Sequence, residues 1–182
     1  MDEKDKKLIL DFARESIKTW FFQDEPNINE VIHLNEERGL FVTLHKRGNL
    51  RGCIGFPYPI MPLYKAVIEA ARSAAFHDAR FPPLEKSELR DLKIEVSILS
   101  VPELIMVNSP KDYFREIIIG VDGLIIKGLF GSGLLLPQVA TENNFTVGQF
   151  LNCLCQKAGL PFNAWQDSEN KIYKFQAEII TE

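Results

Sequence analysis

Residues 39–55, Gly-Leu-Phe-Val-Thr-Leu-His-Lys-Arg-Gly-Asn-Leu-Arg-Gly-Cys-Ile-Gly, predict the antiparallel sheet on which the fold is built. Leu40, Val42 and Leu44 alternate with other residues, which is the period of a strand with one buried face. The Arg-Gly-Asn tripeptide at 47–49 has the composition of a turn. Leu50 to Ile54 then returns as a second strand, so the stretch predicts a β-hairpin.

Helical patterns lie on both sides of this hairpin. Apolar residues at helical spacing from Leu8 to Trp20 predict one amphipathic helix, and Pro62 suits the first position of a second helix that ends near His77. Further helices are predicted at 110–120 and 147–158, and further strands at 92–100, 124–126, 134–136 and 173–179. Because no strand–helix–strand rhythm appears, we expect an α+β fold: a mostly antiparallel sheet packed with helices, in one domain over 1–182.

Composition narrows the classes of function. The 182 residues carry a formal net charge of −4, which does not favour binding to nucleic acid. No apolar run is long enough to cross a membrane, and the charged N-terminus does not resemble a signal peptide. Three cysteines at these spacings predict neither a disulfide framework nor a metal site. We therefore expect a cytoplasmic protein that does not cross a membrane and that binds neither a metal nor a cofactor.

The hexapeptide Leu50-Arg51-Gly52-Cys53-Ile54-Gly55 offers the chemistry of a thiol. In a strand, Arg51 and Cys53 share a face, and a fixed cation favours the thiolate of a catalytic cysteine. Gly52 and Gly55 would let a ligand or another backbone approach closely. The alternative is structural: a small buried cysteine in a glycine-rich strand, with Arg51 in an ion pair. On the residues alone, the structural alternative is favoured.

Three further side chains are candidates for the same site. Asp78 and Arg80, directly after the second helix, can lock a turn or hold a ligand carboxylate or phosphate. Glu95, on the polar face of the strand at 92–100, is either an acid/base residue or a solvated side chain. His77 is best explained as the C-terminus of a helix, where a cation is favoured. We thus take Cys53, Glu95 and Asp78 as candidate catalytic residues, and Arg51, Gly52, Gly55 and Arg80 as candidate ligand-binding residues.

The hexapeptide resembles the hallmark motif of the AMMECR1 domain family. The resemblance continues in order through residues 74–84, 94–100, 120–124, 134–139 and 157–160. It implies a larger subdomain and a smaller α/β subdomain, with a lobe at about 108–160, and a cleft around the hexapeptide. Similar proteins often carry an acidic residue where His77 stands, so His77 is not expected to have a role shared by the family.

The resemblance implies no particular reaction, so three hypotheses stay open. The first is a ligand-binding or catalytic cleft around Leu50–Gly55. The second is a non-enzymatic interaction module, because similar domains occur beside Memo-like and radical-SAM proteins, which are therefore candidate partners. The third, an RNA-associated protein, requires basic side chains clustered on one face.

Overall fold

The computed structural model describes residues 1–182, which form two compact units. The first unit contains Met1–Leu99 together with Glu178–Glu182, and the second contains Ser100–Ala177. The lobe expected at about 108–160 falls within the second unit. Strands pair in antiparallel fashion within each unit and helices pack on them, so the prediction of an α+β fold is confirmed.

The first unit is built on the predicted hairpin. Its elements are helix α1 (Glu3–Trp20), strands β1 (Leu40–Lys46) and β2 (Asn49–Phe56), helix α2 (Leu63–Phe76), strand β3 (Leu92–Leu99) and the end of strand β7 (Lys171–Thr181). The strand order is β2-β1-β3, with β7 beside β3, so β2 is an edge strand. The turn is confirmed at Arg47 and Gly48, which have positive φ angles of 51° and 81°. Pro62 lies one position earlier than expected, as the N-cap of α2.

Helices α1 and α2 cover one face of this sheet. The buried residues of the first core come from both helices and from one face of β1 and β3: Ile9, Phe12, Ile17, Leu63, Val67, Ala70, Ala74, Leu40, Val42, Leu44, Ile94, Val96 and Ile98. The alternation of β3 is therefore confirmed. The opposite face of the sheet carries Thr43, Cys53 and Glu95, all of them half-buried.

The second unit has its own core. It contains strand β4 (Glu103–Leu104), helix α3 (Tyr113–Glu116), strands β5 (Asp122–Lys127) and β6 (Ser132–Leu135), and helices α4 (Pro137–Glu142) and α5 (Val147–Lys157). Strand β5 pairs with both β6 and β7, and β4 pairs with β7. The capping box of α5 is confirmed, since Gln149 accepts the N–H of Thr146 while the Thr146 hydroxyl accepts that of Gln149.

Several local predictions for this unit were wrong. The helix predicted up to Gly120 is a 3-10 turn at Pro110–Asp112 followed by α3, which ends at Glu116; Gly120 lies in the next turn with φ of 81°. Helix α4 was not predicted. Along β7, Ile172, Phe175 and Ile180 are buried while Ile179 is 48% exposed, so Tyr173, Phe175, Ala177 and Ile179 do not form one buried face.

Other short 3-10 helices lie at Ile28–Glu30, Lys86–Arg90 and Ala164–Gln166. None of the helices combines the length and the apolar character that crossing a bilayer requires.

Candidate functional site at the hairpin edge

The candidate site begins with a row of side chains across three strands. Thr43 of β1 lies directly opposite Cys53 of β2 on one side and Glu95 of β3 on the other. The three residues therefore share the face of the sheet that α1 and α2 leave uncovered. The thiol Sγ of Cys53 is 3.2 Å from the hydroxyl Oγ1 of Thr43.

Asp78 and Arg80 take the place of a neighbouring strand along the free edge of β2. The backbone N–H of Cys53 donates to the Asp78 carboxylate at 2.9 Å, and Nη2 of Arg80 donates to the Cys53 carbonyl at 3.2 Å. Both backbone groups of Cys53 thus turn away from β1. Cys53 and Thr43 are consequently a non-hydrogen-bonded pair, the arrangement in which opposite side chains approach most closely. At Cys53, therefore, the edge has no backbone N–H or carbonyl left to pair with the strand of another chain.

The Asp78 carboxylate is held as an anion by this arrangement. It is 4% exposed and accepts from Nε of Arg80 at 2.9 Å and from Nη2 at 2.7 Å, besides the N–H groups of Cys53 and Arg80. The hydrogen bonds from the Arg80 side chain, reinforced by those two N–H groups, outweigh burial and hold the pKa of Asp78 well below its usual range. A carboxylate so fixed is suited to positioning Cys53 and Arg80.

Arg51 is directed towards Glu88. The register shifts between Leu44 and His45, which pair with Gly52 and Leu50, so Arg51 is the extra residue of a β-bulge. Its Nε and Nη2 donate to the two oxygens of Glu88 at 3.1 and 2.9 Å. Its Nη1 is buried and has no hydrogen-bond partner. The structure therefore forms the ion pair that the sequence offered as the structural alternative for Arg51.

Glu88 also binds a second cation, Lys46, and a backbone N–H group. Lys46 Nζ lies 2.8 Å from one oxygen, and the N–H of Glu85 donates to the other at 2.9 Å. The hydrogen bonds from Arg51, helped by those from Glu85 and Lys46 and opposed by burial, lower the pKa of Glu88 to about 2. The bulge of β2 is thus anchored to the 3-10 helix at Lys86–Arg90.

Both glycines of the hexapeptide face protein backbone. A Cβ at Gly52 would overlap the carbonyl oxygen of Ala74 in α2, and one at Gly55 would overlap that of Leu40 in β1. The sequence predicted that either a ligand or another backbone approaches these glycines closely. In the structure it is a backbone. The glycines let α2 and β1 lie tightly against the strand that carries Cys53.

The Cys53 thiol and the outer part of Arg80 remain accessible. Cys53 is half-buried, and the Arg80 side chain is 55% exposed. Asp78 raises the pKa of Arg80 most, and Cys53, whose carbonyl accepts from Nη2, acts in the same direction. Nη1 of Arg80 takes no part in the bonds to Asp78 and Cys53. A thiol and a partly exposed cation therefore lie together at the edge of the sheet.

The other cysteines and His77 do not join this group. His77 caps the C-terminus of α2, and its ring meets that of Trp20 edge-on at 5.6 Å. Cys155 is buried in the second core, and burial raises the pKa of its thiol. No three His, Cys, Asp or Glu side chains are grouped so that they could hold a metal ion.

Sequence reasoning missed Thr43 and Glu88. Thr43 could have been found by pairing the predicted hairpin strands around the turn, which brings it opposite the hexapeptide. Glu88 gives no such signal, because its contact with Arg51 spans 37 residues.

Comparisons with known proteins agree with this fold and this motif. The family model described as AMMECR1 matches residues 10–180. A protein of Methanothermobacter thermautotrophicus is 54% identical over 147 residues, 81% of this chain and 77% of that protein. Protein MJ0810 of Methanocaldococcus jannaschii is 54% identical over 150 residues, 81% and 75% of the two chains. The crystal structure of the uncharacterized protein PH0010 from Pyrococcus horikoshii matches with a TM-score of 0.89 at 42% identity, covering 98% and 92% of the two chains.

Proposed function

Because this chain belongs to the AMMECR1 family, with the hexapeptide inside the matched region, we propose that the hairpin edge is a small-molecule site that binds an anionic group at Arg80 beside the Cys53 thiol. One observation carries this proposal. The half-buried Cys53 thiol, which contacts the Thr43 hydroxyl at 3.2 Å, lies on the same strand residue whose carbonyl accepts from Arg80, a side chain that is 55% exposed and whose Nη1 takes no part in the bonds to Asp78 and Cys53. Nε and Nη2 of Arg80 already donate to Asp78 and Cys53, so Nη1 of this exposed guanidinium is the nitrogen whose N–H groups can donate to a carboxylate or phosphate.

The candidate residues then divide into two roles. Cys53 is the group that contacts the ligand, and Arg80 holds the anion. Glu95, beside Thr43 in the same row, is the carboxylate available to accept a proton. Asp78 positions Cys53 and Arg80, while Arg51, Gly52 and Gly55 set the shape of the strand.

The test measures alkylation of Cys53 by iodoacetamide, followed by peptide mass spectrometry. Cys153 is the internal control, because it is also free and half-buried. We expect Cys53 to react faster than Cys153. Inorganic phosphate or acetate should slow only the reaction of Cys53, with a saturable dependence on concentration.

Two variants separate the parts of the proposal. Arg80→Gln should abolish protection by the anion, whereas Arg80→Lys, which keeps a cation, should retain part of it. Circular dichroism establishes that both variants are folded. If Cys53 reacts no faster than free cysteine and neither anion protects it, the proposed site does not exist.

A second candidate is supported by exposed apolar side chains. Phe22, Ile60, Met106, Leu129, Phe130 and Phe162 are each more than half exposed. Of these, Leu129 and Phe130 adjoin in one turn and favour an interaction module, for which a Memo-like or radical-SAM protein is the candidate partner. Native pull-down with a purified partner tests this candidate. An RNA-associated role has less support, because the net charge is −4. We also infer a cytoplasmic location, in keeping with three free cysteines.

A further inference from the structure

A groove in the second unit lies apart from the residues of the proposed site. Its volume is about 580 Å³. Leu129 and Phe130, in the turn between β5 and β6, form one wall, and Leu160, Pro161 and Ala164 contribute to the other. The lining is therefore largely apolar.

The turn that carries the first wall is fixed in place. The N–H of Gly128 donates to the carbonyl of Gly131 at 2.9 Å, which closes the turn. A Cβ at Gly131 would overlap the carbonyl oxygen of Ala158, and one at Gly128 would overlap Oδ1 of Asn170. These contacts anchor both ends of the turn against the body of the unit, so the two residues between the glycines are held outward.

Leu129 and Phe130 are the most exposed large apolar residues of the chain, at 82% and 92%. Neither residue belongs to the buried core of the unit, so their side chains do not stabilise the fold by burial. Apolar side chains held outward on a rigid support are typical of surfaces that bury them against another molecule.

The rim of the groove is acidic. Asp167 and Glu169 are both exposed and line it, and no lysine or arginine does. Lys171 is not among the lining residues; its Nζ donates to the carbonyl of Ser168, between the two carboxylates, at 2.9 Å, which leaves one net negative charge on this segment. An occupant that complements this groove therefore combines an apolar side chain with a positive charge.

We propose that this groove docks a segment of a partner protein that presents a leucine-like or aromatic side chain next to lysine or arginine. A small molecule fits the groove less well, because ligand pockets enclose most of their ligand, whereas here the most apolar residues project into solvent. A protein segment can cover Leu129 and Phe130 and pair with Asp167 and Glu169 at the same time.

The experiment titrates the full ¹⁵N-labelled chain with the peptide Ac-Lys-Leu-Lys-Leu-Lys-amide. We expect the amide resonances of Gly128, Gly131 and Ala164 to shift with a saturable dependence on peptide concentration. Phe130→Ala should weaken binding about tenfold or more, as the loss of an aromatic anchor does. Glu169→Gln should weaken it about two- to fivefold, as expected for an exposed charge.

Phe162→Ala is the matched control, because Phe162 is 59% exposed but is not among the groove residues. It should bind the peptide as the unaltered chain does. The proposal is overturned if the peptide shifts none of the three resonances. It is also overturned if Ac-Glu-Leu-Glu-Leu-Glu-amide binds equally well, or if phenylalaninamide binds as tightly as the peptide, which would indicate a small-molecule site.

Discussion

The β1–β2 hairpin of the first unit and the β5–β6 hairpin of the second use glycines for the same physical purpose. In β2, Gly52 lets the Ala74 carbonyl of a helix approach the strand; in the second hairpin, Gly131 lets the Ala158 carbonyl approach the turn. Each hairpin is thereby fixed against a helical segment of its own unit. In each, the residues next to the glycines are presented on a rigid support.

The two hairpins differ in what they present and in what anchors them. The first presents a thiol and a guanidinium, and its anchors are charged: Asp78 on the backbone of Cys53 and Glu88 on Arg51. The second presents two apolar side chains, and its anchors are neutral backbone and amide groups. Ionic anchors suit a site for an anionic small molecule, because they fix the position of the cation that binds it. Similar glycine packing can therefore support polar chemistry at one site and an apolar docking surface at another.

The largest expected effect comes from removing the charged anchor of Cys53. Asp78→Ala leaves the Cys53 N–H and Arg80 without their buried acceptor, and we expect the free energy of unfolding to fall by about 2–4 kcal/mol. The neutral counterpart, Asn170→Ala, removes the Asn170 bond to the Ala164 carbonyl and should cost about 1 kcal/mol. Urea unfolding followed by circular dichroism measures both. Equal losses would contradict the distinction between ionic and neutral anchors.

A smaller loss of stability is expected from substituting the glycines that both hairpins use for close packing. Gly52→Ala and Gly131→Ala each place a methyl group against a helical carbonyl, and each should cost about 1–3 kcal/mol. Gly48→Asn is the control, because nothing lies within 4 Å of a Cβ there and asparagine tolerates its positive φ. Urea midpoints should therefore fall for both alanine variants and stay close to the original for Gly48→Asn. If Gly131→Ala is harmless, the turn of the second hairpin is not fixed.

Much of the fold could be predicted because its signals are local. The hairpin, helix α1, the alternation of β3 and the capping box at Thr146 each depend on residues close together in the chain. The helix predicted up to Gly120 was wrong because a glycine with positive φ can follow a turn as well as end a helix. The face of β7 could not be predicted from alternation, because its buried residues Ile172, Phe175 and Ile180 do not follow the two-residue period of a regular strand.

The residues of the candidate site could be predicted from the sequence, but most of the contacts between them could not. The residues Cys53, Asp78 and Arg80 were named from the sequence, and the structure brings them together. Their contacts could not be derived, because Asp78 reaches Cys53 only through the packing of α2 on β2. The partner of Arg51 could not be predicted either, since the bulge that turns Arg51 towards Glu88 depends on how β2 is aligned with β1.

Lowering the pH should destabilise the β1–β2 hairpin before the β5–β6 hairpin. The pKa of Glu88 is about 2, below its ordinary value of 4.5, so its pairing stabilises the fold above pH 4.5 and is lost as the pH falls towards 2. Between pH 6 and pH 3 this loss amounts to about 1–2 kcal/mol. Amide hydrogen exchange should therefore accelerate in β1 and β2 before it does in β5 and β6, whose anchors do not titrate. Glu88→Gln should remove this part of the pH dependence, and Glu142→Gln, an exposed change in the second unit, should keep it. If both hairpins lose protection at the same pH in the unaltered chain, the charged anchors do not set the stability of the first hairpin.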